Sequence, residues 1–214
     1  PVALELLRRF AAASGAHAGI AAPSANRFGR ISPTTAAHVQ EELGGRISLI
    51  LDGGPCKVGI ESTIVDCSRA EPVVLRPGHI APAHLEAVLG RCPAIETATG
   101  APRVSGSLAA HYAPQTPMRL VAGHRLLDFL NAQRHKGDRC GVIGHSQPPQ
   151  AGMPHLWRML PAEPVGYAHD LYAVLREMDH AGVSSIAVEA LPEGAAWAAV
   201  ADRLRRAVAG SGQS

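Results

Sequence analysis

The chain has 214 residues, of which 46% are apolar, 18% charged and only 4% aromatic, and its formal net charge is +2. That length gives one large or two small domains, and that composition excludes a disordered chain. The mild charge does not by itself argue for nucleic-acid binding, for which a local basic patch would have to serve, and no apolar run is long enough to span a membrane.

Residues 2–14 place Val2, Leu4, Leu6, Leu7 and Phe10 on one stripe and predict an amphipathic helix, which is not the pattern of a signal peptide. A short apolar strand is predicted at 19–22. The loop Ala22-Pro23-Ser24-Ala25-Asn26-Arg27-Phe28-Gly29-Arg30-Ile31-Ser32-Pro33-Thr34-Thr35 follows. Ser24, Asn26 and Ser32 supply small side-chain donors, Arg27 and Arg30 supply cations, and Gly29 allows close backbone approach. Ser32-Pro33 reads as an N-cap with proline at the first helical position of a helix over 34–43. A strand, a donor-rich loop and a helix N-terminus suit a phosphate or nucleotide. The other reading is an Asn/Ser/Gly/Pro connection with a good cap.

Gly44-Gly45 stops that helix, and a buried-type strand is predicted at 47–51 before the turn Asp52-Gly53-Gly54-Pro55. Further strands are predicted at 62–66 and 73–75, and a helix at 82–89. Glu61-Ser62-Thr63 brings hydroxyls to the mouth of a strand, where they can bind a carboxylate or hydroxyl, or simply satisfy a sheet edge. Arg76-Pro77-Gly78 fixes a guanidinium at a strand end, a geometry suited to phosphate or carboxylate, or to plain exposure after a strand.

Periodicity is lost between Cys92 and Pro117, a Pro/Gly/Ser/Thr/Ala-rich stretch that reads as a linker. His111-Tyr112-Ala113-Pro114 is its aromatic centre, and such a tyrosine is a docking contact more often than a catalytic group. Beyond it, strands at 118–122, 140–143, 156–160 and 185–188 alternate with helices at 124–135, 168–181 and 196–209. That alternation predicts a parallel sheet with helices on its faces, and residues 210–214 read as a disordered tail. The divisions are 1–97, a linker 98–117 and 118–214. Cys56, Cys67, Cys92 and Cys140 form no Cys-x-x-Cys pair and read as reduced thiols in a cytoplasmic protein. The eleven histidines give no metal-site spacing, so no metal ligand is assigned. No Gly-x-Ser-x-Gly elbow or ordered Ser/His/Asp set assigns a catalytic residue.

In order, Ala22-Pro23-Ser24-Ala25-Asn26 with Gly29 and Ser32-Pro33-Thr34, Leu51-Asp52-Gly53-Gly54-Pro55, Glu61 to Asp66, Leu75-Arg76-Pro77-Gly78 and His111-Tyr112-Ala113-Pro114 resemble the threonylcarbamoyl-adenylate synthase family, the YrdC-like proteins. Asp170-Leu171-Tyr172 through Leu175-Arg176 and Asp202-Arg203-Leu204 are similar to the accessory C-terminal domain of the family's longer form. The resemblance implies an α/β fold: a truncated YrdC-like twisted mixed sheet with helices, then a linker and a small Rossmann-like parallel domain. It implies condensation of L-threonine, bicarbonate and ATP, with Mg2+, into threonylcarbamoyl-adenylate and pyrophosphate. A downstream complex would then transfer the threonylcarbamoyl group to tRNA, and direct tRNA contact by this chain is weakly supported. By resemblance, Ser24, Asn26, Ser32, Arg76 and Tyr112 serve ATP or the adenylate, and Ala22 and Ser62 line the threonine pocket. Tyr112 would close the site from the linker and so slow hydrolysis of a reactive mixed anhydride.

Phe28 stands where the family usually has a small serine. The family's upstream segment, with its Lys/Arg-rich strand for the triphosphate, has no counterpart in residues 1–18. The chain is therefore expected to be the C-terminal two-thirds of a synthase, weakly active or inactive alone, with exposed apolar edges. The rival readings are a noncatalytic nucleotide- or RNA-binding YrdC-like module, which would need a basic patch with stacking aromatics, a degenerate regulatory fragment, and a carbamoyl-transfer enzyme, which would need paired cysteines that are absent.

Overall fold

The computed structural model describes residues 2–15, 18–96, 104–106, 108–146 and 154–212. Most of the expected elements are present. Helix α1 (Val2–Ser14) is followed by α2 (Ala36–Leu43), β1 (Ile64–Asp66), β2 (Val73–Arg76), α3 (Pro82–Leu89) and β3 (Ala94–Ile95). β1 pairs antiparallel with β2, and β2 parallel with β3, giving a mixed three-stranded sheet in the order β1-β2-β3. α3 opens on Pro82, where the lost N–H is an orphan in any case, and stops at Gly90 in the left-handed conformation.

The remainder is β4 (Met118–Val121), α4 (Gly123–His135), β5 (Cys140–Gly144), β6 (Leu156–Met159), α5 (Pro164–His180), β7 (Ser185–Glu189), a single 3-10 turn (Ala195–Trp197) and α6 (Ala198–Gly210). Its four strands are parallel in the order β4-β7-β5-β6. Strand alternation divides the core between the two faces. Cys140, Val142 and Ala187 pack with Leu126 and Leu130 of α4. Ile143, Ile186 and Val188 pack with Leu171, Leu175 and Met178 of α5 and Val200 and Leu204 of α6. That second face continues through Tyr112 to Ile31 and Ile60, so one core joins the N-terminal segments, the linker and the C-terminal sheet.

Three local expectations are corrected. Residues 19–22 and 47–51 are not strands; no strand lies beside them among the described residues, and apolar, β-branched segments hold strand geometry only when a ladder partner is present. Ile20, Leu49 and Leu51 are exposed, as is the apolar stripe of α1, which buries no residue. The N-cap of the helix after the loop is Thr35, not Ser32: the Thr35 hydroxyl accepts the His38 N–H at 3.2 Å. Pro33 therefore lies outside the helix, and one of the N–H groups of this helix end, that of His38, is taken by the cap. Thr35→Ala is expected to lower the unfolding free energy by about 1 kcal/mol in urea denaturation. β3 lies within the stretch read as aperiodic, and the linker residues 98–103 and 107 fall outside the described residues, as do 213 and 214 of the tail.

Among the described residues, no helix is long and apolar enough to cross a membrane.

Candidate functional site

The donor-rich loop is closed by Asn26, whose amide donates to the carbonyls of Arg27 and Arg30 at 3.1 and 2.9 Å. Gly29 supplies the left-handed turn that brings its carbonyl to the Ala113 N–H at 2.9 Å, and Arg30 bridges to Ala113 as a parallel pair. The loop is thereby laced to the segment that carries Tyr112. Ser32, 8% exposed, turns its hydroxyl to the Glu61 carboxylate at 2.6 Å.

Glu61 is the hub. Besides Ser32 it accepts from the Tyr172 hydroxyl at 2.9 Å and from Arg203 Nε at 2.8 Å, and Arg203 also reaches the Glu61 carbonyl at 3.4 Å. Burial alone would raise this carboxyl, but the Arg203 charge and the hydrogen bonds from Ser32 and Arg203 outweigh it and hold Glu61 below the ordinary carboxylate range. Arg203 is fully buried and is charge-balanced a second time by Asp202, which in turn pairs with Arg206.

Arg76 ends β2 and is 6% exposed. Its Nε and Nη2 donate to the Ser62 carbonyl at 3.1 and 2.9 Å, Nη2 also lies 3.4 Å from the Ser62 hydroxyl, and Nη1 donates to the Ser105 carbonyl at 2.8 Å. The fork thus ties the strand mouth to the linker. Gly106 follows in the left-handed conformation, and a Cβ there would collide with the Tyr112 hydroxyl and crowd Arg76 Nη1. Tyr112 is itself left-handed, at φ 60°, which a non-glycine residue adopts only when its surroundings force it. Its ring stacks on Tyr172 with centroids 5.7 Å apart, and the Arg203 guanidinium sits 5.2 Å from its centroid. Its hydroxyl is buried and has no hydrogen-bond partner among the described residues. Burial, and then the positive charges of Arg206, Arg203 and Arg76, outweigh Glu61 and hold His111 below its usual value, so the imidazole beside Tyr112 is neutral at physiological pH.

Four of the residues singled out in the sequence, Ser32, Ser62, Arg76 and Tyr112, therefore converge on one cluster, and Asn26 holds the adjoining loop in shape. Ala22 and Ser24 lie in the exposed, strand-free first part of the loop; among the described residues no hydrogen bond ties them to the cluster. Phe28, at the position where a small serine was expected, is 85% exposed and meets His111 edge-on at 6.3 Å. Glu61, Tyr172 and Arg203 were not among the site residues read from the sequence. Arg203 did carry a signal: it falls on the helical stripe shared by Val200, Leu204 and Ala207, where a charge needs a buried partner. Among the described residues, no group of three or more His, Cys, Asp or Glu is arranged to hold a metal ion. The assembly is instead one of hydroxyls, a guanidinium fork and an aromatic cover, parts suited to an anionic substrate.

Comparison with known proteins agrees with this architecture. A family model described as the C-terminal domain of threonylcarbamoyl-AMP synthase matches residues 80–209. The Sua5/YciO/YrdC model, described as telomere recombination, matches residues 1–78. The threonylcarbamoyl-AMP synthase of Bacillus subtilis is 36% identical, aligned over 98% of this chain and 61% of its own length. That of Pyrococcus abyssi is 34% identical over 88% of this chain and 57% of its own. That of Schizosaccharomyces pombe is 30% identical over 97% and 55%. The crystal structure of P. abyssi Sua5 complexed with L-threonine matches with a TM-score of 0.76 at 30% identity, covering 88% of this chain and 57% of that one. A variant of the same protein with an adjacent histidine and tyrosine replaced by alanine matches with a TM-score of 0.75. The chain spans between 55% and 61% of the length of these curated relatives. With two adjoining family models that run from residue 1 to residue 209, the chain belongs to the threonylcarbamoyl-AMP synthase (Sua5/YrdC) family.

Proposed function

We propose that this chain carries the greater part of an L-threonylcarbamoyladenylate synthase, a nucleotidyltransferase. The observation that carries the reading is the convergence of Ser32, Ser62, Arg76 and Tyr112 around Glu61, in a chain whose relatives bear that name. The threonine amine would add to bicarbonate with loss of water to give a carbamate. A carbamate oxygen would then attack the α-phosphorus of ATP, forming a P–O bond as the bond to pyrophosphate breaks. Negative charge grows on the phosphoryl oxygens, where fixed donors and cations stabilise it.

Arg76 is the cation for that role. A bound anion would take the place of the Ser105 carbonyl on Nη1, exchanging a neutral acceptor for a charged one. Ser32 and Asn26 would serve the nucleotide, with Ser24 brought in from the exposed segment. Ala22 and Ser62 would line the threonine pocket, in keeping with the L-threonine bound to the P. abyssi neighbour. Magnesium would arrive with ATP as part of the substrate. Tyr112 would cover the product, and the His–Tyr pair replaced in the P. abyssi variant is matched in kind by His111-Tyr112, the one such step in this sequence. The product would pass to a tRNA-modifying transfer complex in the cytoplasm.

Titration calorimetry with MgATP tests the reading of Arg76. Arg76→Ala is expected to weaken binding about 10- to 100-fold, the value of one or two charge-assisted hydrogen bonds. Equal affinity in the two proteins would remove Arg76 from the site.

A further inference from the structure

We propose that Arg203, on the last helix of the C-terminal unit, is a positioning residue for the site, acting through Glu61 and Tyr112; this rests on the synthase reading of that site. Its guanidinium is spent in two directions. The edge binds the Glu61 carboxylate at 2.8 Å and Asp202 at 2.8 Å, and the ring of Tyr112 lies against it with its centroid 5.2 Å away. Glu61 is the residue before Ser62, whose carbonyl and hydroxyl meet Arg76. Tyr112 ends beside Gly106, where the linker passes over Arg76. One buried side chain therefore fixes both walls of the cluster that holds Arg76.

The same helix holds the linker at two more points. Arg206 donates to the Leu108 carbonyl, and its own carbonyl accepts the His111 N–H at 3.2 Å. Asp202 orients both arginines. Packed apolar side chains in place of both Arg203 and Glu61 would serve stability as well, since a buried ion pair offers little net gain over a hydrophobic replacement of the whole pair. What an apolar chain cannot do is bind a carboxylate along its edge while a tyrosine ring lies against it. Tyr112 sits in a left-handed conformation that needs such constraint.

The test compares the full chain with Arg203→Lys, which keeps the charge but loses the planar fork, and with Glu61→Gln. Amide exchange is read first, without ligand, at His111 and Ala113. Both variants are expected to speed exchange there about tenfold or more while α4, remote from the contact, is unchanged. Exchange at His111 and Ala113 unaltered in both variants would overturn the inference. MgATP affinity is read next in a double-mutant cycle with Tyr112→Leu. Arg203→Lys should weaken binding about fivefold or more in the parent and have little further effect once Tyr112 is gone. Independent, multiplying effects would mean a merely structural arginine and would also overturn it. If the parent chain bound no MgATP even with a relative's upstream segment supplied as a separate chain, the synthase reading would fail, and the exchange measurement alone would decide whether Arg203 sets the linker.

Discussion

Replacing Arg203 with methionine is expected to lower the unfolding free energy at neutral pH by about 3–5 kcal/mol, because it strands the Glu61 carboxylate in a buried setting. The side chain of Glu61 is only 18% exposed, and Arg203 is the one cation that pairs with it among the described residues. The pH dependence identifies the cause. In the parent chain the folded-state value of Glu61 lies below its unfolded value of about 4.5. Its contribution is therefore fully present above about pH 4.5 and is lost as the pH falls through the depressed folded value. In the variant burial remains and the Arg203 charge and hydrogen bond do not, so the folded value is expected to rise from its depressed position. The penalty is then greatest at neutral pH and is relieved as acid protonates the carboxyl. Urea unfolding of the two proteins from pH 7.5 to pH 4 should show the stability gap closing on acidification. A constant gap would assign the loss to packing and not to Glu61.

Gly59→Ala is expected to cost about 2–4 kcal/mol, from backbone strain and overpacking together. Gly59 has φ 88°, and a Cβ there would run into the Ala168 and His169 carbonyls on α5. Those are backbone atoms held by the helix ladder, so relief requires α5 to move away from Ile60 and Glu61. The wedge would open the contact between Tyr172 and Glu61 as well as destabilise the fold. Gly45→Ala is the control, since a Cβ there meets nothing within 4 Å and the backbone is not left-handed. It should leave the midpoint of a thermal melt almost unchanged or slightly raised. Equal losses in the two variants would show that the approach of α5 to Gly59 does not matter.

The elements legible in the sequence were those set by local chemistry. Helix α3, between Pro82 and Gly90, and α1, with its apolar stripe, lie where their residues place them, and the alternation after Pro117 gave the parallel sheet. The two failed strands, at 19–22 and 47–51, have suitable residues but no neighbouring strand among the described residues, and a strand is a property of a pair. Ser32 and Thr35 both carry a hydroxyl of the kind that caps a helix. Which one caps depends on Glu61, 29 residues further on, which takes the Ser32 hydroxyl. The candidate site followed the same division. Arg76 and Tyr112 could be found from a rigid strand end and an aromatic in a linker. The Glu61 hub could not, since its contacts to Tyr172 and Arg203 span 111 and 142 residues. Only the misplaced charge of Arg203 on an apolar stripe hinted at it.

The most direct test is pyrophosphate release from MgATP, with L-threonine and bicarbonate omitted in turn. It should be run on this chain alone and with the remainder of the B. subtilis relative supplied as a separate chain. The account predicts little or no release by the chain alone, and release in the mixture that requires both threonine and bicarbonate and is lost in Arg76→Ala. Release in the mixture that ignores either substrate, or no release at all, would contradict it.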